Sequence, residues 1–230
     1  MFISFHRSRM PFSPQTLDFL FENRLNDNKA WFNEHKSDYV NYVSQPFKEF
    51  TEQMMPRMQE IDSCITAARV SRIYRDARFS KGKSVFRENM WCVFSRVRDL
   101  YKSLPAFYFD ISGQGFEYGC GYYTASTETM EAVRQLILSD SPYFTAALEA
   151  YKNQKVFSLY GDMYKRNRYP SESEEKCEWL NRKTIGLTTL SKEWDILFSE
   201  KLADKIAADF HMIAPIYDFF MKAEELAADK

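Results

Sequence analysis

Ser112-Gly113-Gln114-Gly115 separates two runs of aromatic and β-branched residues, at positions 106–111 and 116–123. Residues of these types favour β-strands, and a short glycine-containing connection between two such runs predicts a β-hairpin. A third run of the same kind, residues 90–97, precedes the hairpin. The middle of the chain is therefore predicted to form an antiparallel sheet.

The second strand of this hairpin contains two glycines, Gly119 and Gly121. Glycine inside a strand indicates a bulge or a place where another group approaches the backbone closely. We interpret the strand as part of the core. The alternative is that its aromatic residues form the wall of a ligand site.

Helical patterns precede the predicted sheet. Ser13-Pro14 has the residue types of a helix start, with serine as the N-cap and proline in the first turn. A longer helical region is predicted from about residue 29 to residue 60. Pro46 and Pro56 are expected to kink or split it, because proline removes a backbone donor and clashes with the preceding turn.

Helical patterns also follow the predicted sheet. Helices are expected from Ser126 or Thr127 to about residue 139, at 141–153, at 174–183, and from Ser191 onward with a break near Pro215, whereas residues 156–172 are expected to form a loop. The order of helices, antiparallel strands and helices predicts an α+β fold. We expect one domain over residues 12–230 and a poorly ordered leader at residues 1–11.

Composition narrows the function classes. Of the 230 residues 45% are apolar, with 20 Phe and 14 Tyr, which is enough for a sizeable core. A net charge of −1 argues against nucleic-acid binding by the protein as a whole. No run approaches the roughly 18 apolar residues of a membrane span, and no signal peptide is recognisable, so a cytoplasmic protein without membrane contact is expected.

Cysteine and histidine are too few and too scattered for a metal site. The chain has 4 Cys and 3 His, none at zinc-ligand spacing. The cysteines are expected to be reduced, and no metal or other cofactor is predicted. His35 is interpreted as a structural residue, with general-base catalysis as its alternative role.

Basic residues are concentrated in one stretch, residues 69–87. It contains a single acid, Asp76, and seven basic residues: Arg69, Arg72, Arg75, Arg78, Lys81, Lys83 and Arg87. The whole chain has a net charge of −1, so positive charge is concentrated in this stretch. Mutual repulsion within the stretch requires either carboxylates of the fold or an external anion to offset it.

The preferred interpretation of this stretch is an anion-binding cleft. Arginine suits planar, bidentate capture of phosphate or carboxylate, and this role is assigned to Arg72, Arg75 and Arg78. Asp76 would orient them by a salt bridge. The cleft is predicted to lie between the basic stretch, the sheet and a second basic cluster at residues 165–168.

Further residues complete the predicted site. Tyr74 and Ser80 are expected to add neutral hydrogen bonds, and Lys81 and Lys83 to close over the ligand. The second basic cluster contributes Arg166 and Arg168. The predicted partner is thus a small anionic molecule, and the spacing around Gly82 does not match a nucleotide-binding P-loop.

Three functional alternatives stay open. In the first, the protein is an enzyme that acts on a phosphorylated or acidic metabolite, although no nucleophile or base stands out. In the second, the same basic surface binds nucleic acid or a protein partner. In the third, the arginines form a purely structural network with acids of the helices. The sequence does not define the oligomeric state.

The basic stretch also carries a family resemblance. Arg72-Ile73-Tyr74-Arg75-Asp76-Ala77-Arg78-Phe79-Ser80-Lys81 resembles the central motif of an uncharacterised bacterial and fungal family, domain of unknown function 2461. The resemblance covers about residues 12–222. The family pattern continues as Ser-Lys-Asp-Lys and then Pro-Tyr-Lys, whereas here Gly82 replaces the acid and Val85-Phe86-Arg87 replaces the second group. The resemblance implies no particular activity.

Overall fold

A six-stranded antiparallel sheet lies at the centre of the computed structural model, which describes residues 10–75, 84–97 and 103–228. The strand order is β1-β2-β3-β4-β6-β5. The strands are β1 (Ala67–Val70), β2 (Asn89–Ser95), β3 (Ala106–Ser112), β4 (Gly115–Gly121), β5 (Ser158–Tyr160) and β6 (Gly186–Ser191). The predicted hairpin is confirmed as β3 and β4, in which Ser112 pairs with Gly115.

The two faces of the sheet differ in chemistry. Because successive side chains of a strand point to opposite faces, buried and half-buried residues alternate along β2 and β3. One face, here named the apolar face, carries Met90, Cys92, Phe94, Phe107, Phe109, Ile111, Phe116, Tyr118, Cys120 and Leu187. The other, named the polar face, carries Asn89, Trp91, Tyr108, Asp110, Glu117 and Thr188.

Helices precede the sheet, as predicted: α1 (Pro14–Asn26), α2 (Lys29–Glu34), α3 (Lys36–Tyr39), a π-helical turn (Val40–Ser44) and α4 (Gln45–Ile61). Pro46 is the second residue of α4 and directly follows the π-helical turn. Pro56 does not split α4. The helix continues through it with Met54 and Met58 both fully buried, so packing offsets the lost hydrogen bond.

Helices also follow β4: α5 (Thr127–Leu138), α6 (Pro142–Lys152), α7 (Glu174–Leu180), α8 (Trp194–Leu197), α9 (Leu202–Met212) and α10 (Ala214–Ala228). The predicted α+β class is confirmed. Two expectations were wrong: the region 156–172 contains β5, and Ser191 ends β6 rather than starting a helix. Both strands are short and form by pairing with distant partners, which local patterns do not reveal.

The core lies between the apolar face and the helices. The ring of Phe109 contacts Phe47 and Phe50 of α4, at centroid distances of 6.4 and 4.5 Å. Phe107 lies 4.8 Å from Phe210 of α9 and 4.9 Å from Tyr217 of α10. Within the described ranges, no helix is both long and apolar enough to cross a membrane.

Gly119 explains how β4 and β6 come together. A Cβ at this position would lie 1.9 Å from the carbonyl oxygen of Leu187. No side chain fits there, so the glycine permits the close approach that its position within a strand predicted.

Candidate functional site

The described part of the basic stretch forms two antiparallel segments that extend β1 and β2. Tyr74 pairs with Phe86 beyond the ends of the two strands. The Arg75 amide donates to Val85 O (3.0 Å), and the Arg87 amide donates to Ile73 O (2.8 Å). We name residues 67–75 and 84–95 the ribbon. The described part of the basic stretch is thus extended.

Half of the predicted ligand-binding residues fall between the two segments of the ribbon. These are Asp76, Arg78, Ser80, Lys81 and Lys83, which lie outside the described residues. Their assigned roles stay predictions. The described part of the predicted site consists of Arg72, Tyr74 and Arg75 on the ribbon, and Arg166 and Arg168 elsewhere.

The N-terminal helices hold the ribbon. The Phe86 amide donates to Asp27 Oδ1 at the end of α1 (3.1 Å). The ring of Phe32 in α2 stacks on Phe86 at 5.0 Å and meets Tyr74 edge-on at 5.3 Å. The ring of Tyr74 therefore packs against the fold, although 40% of the residue is exposed.

Arg75 is tied into the ribbon itself. Its Nε donates to Ser84 Oγ (3.0 Å) and to Phe86 O (2.9 Å), and its Nη2 lies 3.8 Å from Glu88 Oε1. The other oxygen of Glu88 lies 3.6 Å from Arg24 Nε in α1. The guanidinium of Arg75 thus joins the two segments of the ribbon, which is a structural role.

Three neighbouring arginines of the ribbon are not tied in this way. Arg69 and Arg72 are exposed, and neither makes an ion pair with a described carboxylate. Arg87 is half-buried, and its Nε is buried without a hydrogen-bond partner among the described residues. A buried donor without a partner costs about 1–3 kcal/mol, so an acceptor that reached the Nε of Arg87 would stabilise it.

The polar face carries two carboxyl groups next to the ribbon. Asp110 on β3 is directly opposite Glu117 on β4, which places their Cβ atoms roughly 5 Å apart. Asn89 Nδ2 donates to Asp110 Oδ2 (2.5 Å). Glu117 Oε1 lies 2.7 Å from Thr188 Oγ1, which donates to it, and 2.9 Å from the Tyr108 hydroxyl.

Burial raises the pKa of Asp110 to about 7. The hydrogen bond from Asn89 and the charge of Arg87 lower this pKa, while the neighbouring charge of Glu117 raises it. Burial also raises the pKa of Tyr108 well above its usual range. A carboxyl with a pKa near neutrality can both give and accept a proton, as acid–base catalysis requires.

The second basic cluster lies at the other edge of the sheet. Arg166 and Arg168 follow β5, and the Arg168 amide donates to Asn181 Oδ1 after α7 (2.9 Å). The ribbon extends β1 at the opposite edge, so the five interstrand spacings of ~4.8 Å put roughly 24 Å between the two clusters. The structure therefore does not bring Arg166 and Arg168 together with Arg72 and Arg75.

Sequence reasoning missed the polar face. The available signal was alternation: Tyr108 and Asp110 occupy every second position of an otherwise apolar strand, and Glu117 does so in the next. Phe116 and Tyr118 are buried, which confirms the core interpretation of that strand over the aromatic-wall alternative.

Other candidate groups are occupied by local contacts. His35 stacks on the ring of Trp31 at 4.1 Å, and its Nδ1 lies 2.8 Å from Trp31 O. The four cysteines are free thiols. In the part of the chain that the structure describes, no three His, Cys, Asp or Glu side chains are placed to hold a metal ion.

Comparison with known family models shows which family the chain belongs to. A family model described as "Conserved hypothetical protein (DUF2461)" matches residues 15–219. Since this match covers most of the chain, the protein belongs to that family. A search of curated protein sequences found no match. The motif at residues 72–81 that suggested the family lies within the matched range.

Proposed function

We propose that the ribbon binds a small anionic ligand through a phosphate or carboxylate group. The observation that carries this proposal is the buried Nε of Arg87, a charged donor without a hydrogen-bond partner among the described residues. Arg69 and Arg72 expose two further guanidinium groups on the same ribbon. Arg75 supports the site indirectly, because its hydrogen bonds join the two segments of the ribbon.

The test is ligand binding by the purified protein, measured as thermal shift and then by calorimetry. The panel contains phosphates, nucleotides, dicarboxylates and short nucleic acids at two salt concentrations. A selective ligand that binds at both salt concentrations supports the proposal. Unselective binding that falls steeply with salt favours the nucleic-acid alternative, because each phosphate contact releases counterions.

Two variants and a matched control sharpen this test. Arg72→Ala and Arg87→Gln each remove one guanidinium from the ribbon, and a bidentate pair is worth about 1.5–3 kcal/mol, which predicts at least tenfold weaker binding. Arg57→Ala removes the same charge from the helical side, where Arg57 pairs with Asp204. Binding that is equal in all three variants contradicts the proposal.

A second candidate function is acid–base catalysis on the same ligand. The specific observation in its favour is Asp110, a half-buried carboxyl opposite Glu117 whose pKa burial raises to about 7. Asp110→Asn is expected to preserve ligand binding and abolish conversion of any ligand found in the panel, as followed by NMR. A ligand that the wild-type protein binds but returns unchanged contradicts catalysis and leaves the binding proposal intact.

A further inference from the structure

Two guanidinium groups flank one tyrosine ring at the β5 edge. Arg168 Cζ lies 3.5 Å from the centroid of the Tyr164 ring, and Arg134 Cζ of α5 lies 5.5 Å from it. Arg134 also donates from Nη2 to the Tyr164 hydroxyl (3.2 Å) and to Arg182 O (2.8 Å), and from Nε to Leu180 O (3.2 Å). These acceptors are all neutral, so they orient the guanidinium of Arg134 without cancelling its charge.

The positive charge of this group is not compensated by the described acids. No described carboxylate makes an ion pair with Arg134, Arg166 or Arg168. Glu131 lines a shallow hollow beside Arg134 but lies beyond ion-pair distance. Attraction of a cation to the Tyr164 ring is worth about 0.5–2 kcal/mol and does not neutralise the cation, so the two guanidinium groups repel each other.

Hydrogen bonds hold the backbone next to Arg168. Residues 164–169, here named the basic loop, are held by Asn181, which is buried. It accepts from the Tyr164 amide through its carbonyl (2.8 Å) and from the Arg168 amide through Oδ1 (2.9 Å). Its Nδ2 donates to Asn167 Oδ1 (2.9 Å), which also accepts from the Tyr169 amide (2.8 Å). A loop held in this way loses little entropy when a ligand binds.

We propose that Arg134 and Arg168 form a second oxyanion-binding site, independent of the ribbon, that binds a phosphate or carboxylate group beside Tyr164. The anion offsets the repulsion between the two cations, and the exposed Arg166 adds positive charge in the same loop. Because the ribbon and the basic loop are at opposite edges of the sheet, one small ligand does not bridge them.

The experiment titrates the full-length protein with inorganic phosphate at constant ionic strength and follows backbone and arginine side-chain NMR signals. The wild-type protein is expected to show two groups of shifting signals, one in the ribbon and one around Tyr164 and Asn181. Arg168→Ala is expected to weaken phosphate binding at the loop at least tenfold and to leave the ribbon signals unchanged. Arg168 is exposed and its side chain makes no hydrogen bond to a described residue, so this variant is expected to fold.

Arg72→Ala is the matched variant at the other site, and the pair separates the two proposals. If Arg72→Ala alone removes all binding, the loop site is overturned and the ribbon site stands. If Arg168→Ala alone removes all binding, the loop site stands and the ribbon site fails. Phosphate and citrate are each added up to about 50-fold over the protein, which detects dissociation constants on the order of millimolar. If the wild-type protein shows no shift near Tyr164 at any of these concentrations, the loop site is overturned.

Discussion

Neighbouring residues on the two faces of the sheet have opposite effects on the stability of the fold. Phe109 on the apolar face is fully buried against the rings of α4, whereas Asp110, the next residue, is a carboxyl that burial holds partly protonated at neutral pH. Phe109 therefore stabilises the folded protein, whereas the half-buried carboxyl of Asp110 lowers its stability. A polar group that lowers stability persists in proteins mainly where function requires it, which directs attention to the polar face.

The ribbon repeats this contrast among arginines. Arg75 makes two side-chain hydrogen bonds to the opposite segment of the ribbon, whereas Arg72 is exposed and has no described carboxylate partner. Identical side chains three residues apart thus have different contacts. A uniform interpretation of the basic stretch, as either a network or an anion site, does not describe both.

The largest expected effect tests the apolar face. Phe109→Ala is predicted to lower the free energy of unfolding by about 3–5 kcal/mol, since it leaves a cavity among Phe12, Phe50 and Phe116. Tyr108→Phe, the adjacent change on the polar face, is predicted to cost about 1 kcal/mol, the value of one hydrogen bond. Urea unfolding followed by circular dichroism measures both. Equal losses would remove the distinction between the faces.

A smaller effect is expected at the tied arginine. Arg75→Ala is predicted to destabilise the fold by about 2 kcal/mol, because Phe86 O and Ser84 Oγ lose a charged donor. Arg72→Ala, the control, is predicted to change stability by less than about 0.5 kcal/mol. Thermal unfolding of the two variants side by side decides whether the ribbon contains two kinds of arginine, and a large loss in Arg72→Ala would place that residue in the structural network.

The smallest expected effect has the opposite sign. Asp110→Asn is predicted to stabilise the protein by about 1 kcal/mol at pH 8. The pKa of Asp110 is raised to about 7 in the folded protein, so the folded state binds the proton more tightly than the unfolded state. Wild-type stability therefore falls relative to the variant as pH rises from about 4 to about 7. Unfolding curves at pH 4, 6 and 8 measure the difference in stability between the wild-type protein and the variant. A difference that stays constant with pH contradicts the raised pKa of Asp110.

Local patterns were sufficient to predict the hairpin and most helices. The runs at 106–111 and 116–123 and the glycines between them act over a few residues, and the structure forms β3 and β4 at those positions. The strand β6 was missed because its pairing with β4 joins Gly186 to Gly121, far apart in sequence. Its residues Thr188 and Thr189 are β-branched, but the run is short and follows a glycine, so tertiary pairing decides its conformation.

The candidate site was predictable only in part, for the same reason. The density of arginine between residues 69 and 87 located the ribbon. That Arg75 donates to Phe86 O, or that Arg168 lies at the far edge of the sheet, follows from register and strand order, which no single segment contains. Asp110 and Glu117 become neighbours only through the β3–β4 pairing.

The position of β6 between β4 and β5 also affects how the protein is made. On the ribosome, β4 ends at Gly121, but its partner β6 begins only at Gly186. At about 5–20 residues per second, the 64 intervening residues take roughly 3–13 s to synthesise. During that time β4 presents an unpaired edge next to a hydrophobic face, the kind of surface that chaperones protect and that aggregation exploits.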